Sequence, residues 1–265
     1  VAGKLSAGLG RGNGGLCSPC RYDHSTHTGG VRGNSLIAPL VCRYQGCMVT
    51  SVLRAVAAAL VVLSTVVSSP AHAAETVPLP EAVDRLPLGT ESRDGYTRES
   101  FRHWNAGDDP TDGCHTRAEV LLHEAVESPT VGPGCRLEGG SWYSYYDGVT
   151  VTSASGLDID HMVPLAEAWD SGASAWTAQR REAYANDQGQ EASLIAVTAR
   201  SNRSKADQDP AQWLPPAADT HCRYAAEWVA TKLRWSLTAD EAELTALRVL
   251  TGDCPLQNVE YEPAV

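Results

Sequence analysis

Residues 48–73, MVTSVLRAVAAALVVLSTVVSSPAHA, constrain the fold more than any other stretch of this chain. Arg54 precedes an apolar run of 13 residues, Ala55 to Val67, and small residues then lead to Ala71-His72-Ala73. A short basic region, an apolar core and an A-x-A site together form the signature of a secretory signal peptide. The run is too short for a membrane span, which takes about 20 residues. A signal of this kind works at an N-terminus, so Met48 is the expected start. Residues 1–47 are then an upstream segment, not part of the native protein. They also hold Cys17-x2-Cys20 and Cys42-x4-Cys47, with His24 and His27 between, which could be read as a small zinc site. Cleavage after Ala73 leaves 192 residues, 74–265, suited to one domain with no stable membrane association.

An exported chain meets an oxidising compartment, and residues 74–265 carry four cysteines: Cys114, Cys135, Cys222 and Cys254. Four cysteines allow three pairings. Proximity along the chain favours Cys114–Cys135 and Cys222–Cys254, each adding about 3 kcal/mol through a short closed loop. The same residues hold 15 Lys and Arg against 31 Asp and Glu, a net charge of −16. Long-range capture of a polyanion is therefore disfavoured. A polyanionic substrate would need a metal or a local basic patch.

Turn chemistry and periodicity divide the remainder. Residues 74–95 are Pro-rich and read as a loose N-terminal arm, with the folded domain over 96–265. YTRESFRHW (96–104) suggests a short helix, and NAGDDPTDGC (105–114) an acidic loop without the spacing of a calcium-binding EF-hand. TRAEVLLHEAVES (116–128) reads as an amphipathic helix with Thr116 and Glu119 as a capping box. Asp147-Gly148 breaks GGSWYSYYDGVTVTSAS (139–155) as a hairpin turn would. LDIDHMV (157–163) and SLIAVTA (193–199) read as strands. Between them, residues 165–187 are helical with an interruption near Gly172. RSNRSKADQDP starts a helix that stops by Pro210. Two more helices follow over 222–235 and 238–252, the second with Thr238 and Glu241 as a capping box. All seven tryptophans lie beyond residue 73, ample bulk for a core.

The order is informative: a strand bearing Asp160-His161, a second strand some thirty residues on, then a helix carrying Asn202. With DIDHMVPLAEAWDSGA, YANDQ, LIAVTARSNRSKADQDPAQWLPP, DGCHTR and GGSWYSYYDG, the chain resembles the HNH, or His-Me finger, nucleases over residues 96–254. It looks most like their secreted actinobacterial branch. The resemblance implies an α+β fold with a ββα-metal core, further packed helices and disulfide staples. It also implies a secreted, divalent-metal-dependent endonuclease, monomeric, cutting DNA, with RNA as a further substrate, and with little sequence preference. Mg2+ is the implied cofactor and Mn2+ a substitute, because Asn202 in place of a closing His leaves oxygen donors.

In this reading His161 is the general base, its ordinary pKa near neutrality suiting it to take a proton from water. Asp160 and Asn202 hold the metal, and Asp158, on the same strand face as Asp160, supports them. Arg117 is the candidate for stabilising charge on the phosphorane, and Arg203 and Lys205 for touching substrate phosphate. The family's middle Asn is expected just before the second strand, where this chain has Ser193-Leu194. Asn186 could orient His161 instead, or a backbone carbonyl could. Each residue also has a plainer role: Asn202 as an N-cap, Arg117 as a partner of an acid, Arg203 and Lys205 as a solvated face. His103, His115, His123 and His221 show no ligand spacing and read as structural.

The alternative from another class is an exported nucleic-acid or envelope binding domain with an inactive site. A serine hydrolase is disfavoured because G-x-S-x-G is absent, and a zinc peptidase because H-E-x-x-H is absent. No helix-turn-helix or zinc-finger pattern offers base-specific reading.

Overall fold

The computed structural model describes residues 73–264. The upstream segment with its four cysteines, and the signal segment up to His72, lie outside the described residues. In chain order the elements are β1 (Glu75–Pro78), α1 (Leu79–Asp84), α2 (Thr116–His123), β2 (Thr130–Gly132), β3 (Arg136–Glu138), β4 (Trp142–Ser144), β5 (Val149–Val151), β6 (Leu157–His161), α3 (Leu165–Asp170), α4 (Ala178–Ala185), β7 (Leu194–Thr198), α5 (Ala199–Lys205), α6 (His221–Trp235), α7 (Glu241–Asp253) and β8 (Asn258–Tyr261). The strands form two-stranded antiparallel pairs, β1–β8, β2–β3, β4–β5 and β6–β7, so the architecture is mixed α and β with small sheets. Among the described residues no helix is long and apolar enough to cross a membrane.

The main core forms around α6, whose Tyr224, Trp228 and Trp235 are buried against Phe101, Met162 and Leu247. The expected loose arm is part of this core. Residues 75–78 pair with 258–261, and Leu79, Ala82 and Val83 of α1 are buried. Proline at the start of a helix costs no hydrogen bond, because the first N–H groups have no intrahelical partner. A Pro-rich stretch therefore did not preclude order. The β6–β7 pair is buried on both faces. Leu157, Ile159, Leu194 and Ala196 pack in a second, smaller core with Leu121 and Trp142, while Ile195 and Val197 face the main one.

Both disulfides follow sequence proximity. Cys114–Cys135 ties the loop before α2 to the β2–β3 turn, and Cys222–Cys254 ties the first turn of α6 to the end of α7. The Asp147-Gly148 turn is present too, with Gly148 at φ 67°. Both expected capping boxes are replaced. His115 caps α2, accepting from the Ala118 N–H at 3.2 Å, while Thr116 Oγ1 donates to Asn105 and Asn186. Glu119 instead accepts the N–H groups of Asp108 and Asp109, so the acidic loop folds onto its carboxylate. Gly107, at φ 73°, passes so close to that carboxylate that a Cβ would collide with it. Asp240, not Thr238, caps α7 by accepting from the Glu243 N–H at 2.7 Å. The helix expected over 116–128 ends at His123, and the one expected over 96–104 is a single 3-10 turn, Arg98–Ser100.

One half-buried group makes stability depend on pH. Burial, and then the charge of Glu167, push Glu91 up to about 8, with Asp240 and Glu243 adding to the shift and Lys232 opposing it. Carboxylate oxygens of Glu167 and Asp170, and of Asp240 and Glu243, lie within 4.8 Å of those of Glu91. The folded chain holds this proton up to about pH 8 and the unfolded chain only to about 4.5. Stability from this group is therefore full below pH 4.5 and lost as pH rises through 8. Glu91→Gln keeps the shape without the charge. It is expected to raise the melting temperature by a few degrees at pH 8.5 and to leave it nearly unchanged at pH 4.5, read by circular dichroism. Equal shifts at both pH values would refute this account.

Candidate functional site

Strand β6 alternates by necessity: Leu157 and Ile159 pack in the smaller core, while Asp158 and Asp160 face across the pair to Val197 and Ile195. At the strand's end the chain bends into Met162, Val163 and Pro164, and α3 begins at Leu165. Strand β7 runs back along β6 and turns at once into α5, capped by Thr198, whose Oγ1 accepts from the Ser201 N–H. Asp147, from the β4–β5 turn, accepts from the hydroxyls of both Thr198 and Ser201 and so anchors the start of α5. Asn202 sits inside α5, not at its cap. This arrangement brings Asp160, His161, Asn202 and Arg203 to one cleft of about 260 Å3, with Ile159, Leu165, Arg98 and Asp207 also on its wall.

His161 is 6% exposed. Its Nε2 lies 3.0 Å from the Ala185 carbonyl oxygen. A carbonyl can only accept, so Nε2 carries the hydrogen and Nδ1 is the basic nitrogen. Trp104 stacks on the ring, with centroids 5.6 Å apart and planes 27° from parallel, and Tyr184 stacks at 6.4 Å. Burial pushes the His161 pKa down to about 3; the Ala185 carbonyl opposes this, and His103, Arg98 and Lys205 add to it. The imidazole is therefore neutral, as a proton acceptor must be.

The backbone carbonyl that orients His161 belongs to Ala185, and Asn186 acts beside it rather than on the ring. The Asn186 amide is fully committed elsewhere. Its Nδ2 donates to the carbonyls of Arg102 and Glu182, and its Oδ1 accepts from the Asn105 N–H and Thr116 Oγ1. It fastens the loop that carries His103 and Trp104 to the end of α4. His103 thereby comes within 6.3 Å of the His161 ring, a neighbour that spacing along the chain did not disclose.

The carboxylates divide by environment. Asp158 is half-buried; its Oδ2 lies 3.4 Å from Asn202 Nδ2 and 3.4 Å from Arg203 Nε. Asp160 is buried, and its Oδ2 accepts from Tyr146 Oη at 2.7 Å and Lys205 Nζ at 2.5 Å. Burial pushes the Asp160 carboxyl up and the Lys205 ammonium down, each restrained by the other's charge. Among the described residues no hydrogen bond reaches Asp160 Oδ1 or Asn202 Oδ1. Asp158, Asp160 and Asn202 thus offer only hard oxygen donors, and few of them, which suits Mg2+ or Mn2+ better than zinc.

Two expected cations are elsewhere. Lys205 is fully buried and cannot touch a substrate, because the helical turn carrying it points its side chain into the main core. Arg117 is not on the cleft wall. Its Nη2 donates to the carbonyls of Ala154 (3.3 Å) and Leu157 (3.0 Å), holding the entry to β6. Arg203 is on the wall with its side chain 75% exposed, as expected. Sequence reasoning passed over Arg98, an exposed guanidinium of the 3-10 turn that also lines the cleft. It lies more than sixty residues from Asp160, in a stretch with no motif of its own.

A larger hollow of about 540 Å3 is lined by Asp108, Glu119, His123, Glu124 and Glu191. Its acidic wall and its distance from Asp160 and His161 set it apart from this site. Glu167 pairs with Lys232 in the core.

Residues 106–249, more than half of the chain, match the family described as GmrSD restriction endonucleases, C-terminal domain. An "Uncharacterized secreted protein" of the fungus Arthroderma benhamiae is 38% identical over 205 residues, covering 76% of this chain and 97% of that protein. No solved structure matches. The matched span contains Asp158, Asp160, His161, Asn202 and Arg203 together with both strands and the helix that place them. The chain belongs to the family of GmrSD restriction endonuclease C-terminal domains, a nuclease family.

Proposed function

We propose that this protein is a secreted, divalent-metal-dependent endonuclease that hydrolyses phosphodiester bonds of DNA, and of RNA as a second substrate, with low sequence specificity. One observation carries the reading: in a chain of a nuclease family, a neutral histidine, the Asp160 carboxylate and an asparagine amide meet beside two arginines in one cleft, with Asp158 paired to that asparagine and to Arg203. The reading treats β6, β7 and α5 as a ββα-metal core of the HNH type. Export is supported by the two disulfides and by the secreted fungal relative.

In this mechanism His161 Nδ1 takes the proton of the attacking water, while the Ala185 carbonyl holds the ring through Nε2. Asp160, Asn202 and Asp158 would hold Mg2+ or Mn2+. The bound cation would neutralise the phosphate and stabilise the departing oxygen. Arg98 and Arg203 supply the local positive charge that a chain of net charge −16 needs in order to receive a polyanion. The protein acts as a monomer, with no base-reading element.

The alternative, an exported binding domain with an inactive site, draws support from the 6% exposure of His161 beneath Trp104. Incubation with supercoiled plasmid separates the two. Nicking in Mg2+ that EDTA abolishes is the expected result, and no cleavage in either Mg2+ or Mn2+ would leave the binding-domain reading. In the same assay Arg98→Ala is expected to lower kcat/KM about tenfold, as loss of one charged phosphate contact should. Arg117→Ala should lower stability by about 1 kcal/mol and activity less than Arg98→Ala does. The reverse order would return Arg117 to the site.

A further inference from the structure

The fully buried ammonium of Lys205 lies directly behind the cleft. A lysine offers three N–H donors. Here Nζ has three close oxygen acceptors: Asp160 Oδ2 at 2.5 Å, the Met162 carbonyl at 2.8 Å and the His161 carbonyl at 3.0 Å. Tyr146 Oη is farther, at 3.5 Å, and spends its own proton on the same Asp160 Oδ2. The rings of Tyr146, Tyr224 and Trp228 lie 5.7, 5.8 and 5.7 Å from Nζ, near enough for each to favour the cation.

This geometry has two consequences. The carbonyls of His161 and Met162 are the ones at which β6 ends and the chain bends toward α3, and one cation gathers both. The direction in which the His161 side chain leaves the backbone is therefore tied to Lys205. Asp160 is tied as well. Two donors hold Oδ2 on the core side, so the carboxylate cannot rotate, and Oδ1 is the oxygen left for the cleft that Asp160 lines. Asn202 stands one turn before Lys205 on α5, so the same helix that offers an amide to the cleft sends the ammonium behind it.

We propose that Lys205 is a positioning residue: an internal strut that sets the orientation of both Asp160 and His161, without contact to substrate, and so determines how well the cleft holds a divalent cation. Tyr146 is its partner, fixing the same carboxylate oxygen from the other side. The inference rests on the nuclease reading of the site.

The test uses Lys205→Met, which keeps length and apolar bulk, and Tyr146→Phe, which removes one hydroxyl. Mn2+ binding is read by electron paramagnetic resonance of the free ion, beside plasmid cleavage. For folded Lys205→Met the expectation is at least tenfold weaker Mn2+ binding and at least hundredfold lower kcat, with KM for DNA within about threefold of the parent, since no phosphate contact is touched. If Lys205→Met does not fold, Tyr146→Phe decides, with an expected three- to tenfold loss of Mn2+ affinity at unchanged KM. Variants that fold and bind Mn2+ as the parent does would overturn the strut. A parent protein that neither binds Mn2+ nor cuts DNA would overturn the nuclease reading itself, and that failure is visible before any variant is made.

Discussion

Replacing His161 by alanine is expected to lower plasmid cleavage by about a hundredfold to ten-thousandfold, the usual contribution of a positioned general base. The imidazole presents an unprotonated Nδ1 because Nε2 faces the Ala185 carbonyl, and no nearby side chain can replace it. His103 is the nearest other imidazole, with Nε2 as its basic nitrogen because Nδ1 lies 2.8 Å from the Phe101 carbonyl, but its ring centroid is 6.3 Å from that of His161 and it does not line the cleft. The substitution removes a ring packed between Trp104 and Tyr184, so some stability is lost as well. The two effects separate in a simple design: cleavage is measured on folded protein, with Mn2+ binding as a control. Binding should persist, because the oxygen donors belong to Asp158, Asp160 and Asn202. Cleavage that survives in His161→Ala would remove the histidine from the role of base.

The largest effect on stability is expected at Lys232. Its side chain is fully buried, and the three N–H groups of Nζ are shared among four oxygens: Glu243 Oε2 at 2.5 Å, the Thr238 carbonyl at 2.8 Å, Ser171 Oγ at 2.9 Å and Glu167 Oε1 at 3.0 Å. Burial opposes its charge, but Glu243 and Glu167 more than offset this and raise its pKa. These contacts join α3, α6 and α7 and the turn between the last two. Lys232→Met leaves two carboxylates in the core, at 4% and 0% side-chain exposure, without their cation. Breaking a buried pair from one side costs roughly 3–5 kcal/mol. Urea unfolding measures it, and a loss below about 1 kcal/mol would show that the hub contributes little. Neutralising the acids too, in Lys232→Met/Glu167→Gln/Glu243→Gln, should recover much of the loss, because the penalty lies in the orphaned charge.

The site was legible where chemistry is local. Asp160-His161 on one strand and Asn202 on the helix after the next strand were readable from order and spacing, and all three reach the same cleft. The oxygen that holds His161 was legible only as one of two options, an Asn186 amide or a backbone carbonyl. Residue 186 and the carbonyl of residue 185 occupy the same turn, and only the folded path of that turn separates them. The arm over 74–95 was misread because proline marks loops and first helical turns alike; the partner that orders it, β8, lies at the far end of the chain.

By itself, the sequence determined what repeats over a few residues. Alternation in LDIDH and the apolar run LIAVT made two strands, Asp147-Gly148 made a hairpin turn, and proximity paired the cysteines. The tertiary structure decided which charges go inside. Arg203 and Lys205 are two positions apart on a seven-residue helix and look interchangeable as a basic cluster. Two positions are about 200° around a helix of 3.6 residues per turn, so one must face nearly away from the other. Nothing local says which. Tyr146, Tyr224, Trp228 and Asp160 converge on one side of that helix from three separate segments. Lys205 is the residue that fits among them, and Arg203 is left to the solvent and the cleft.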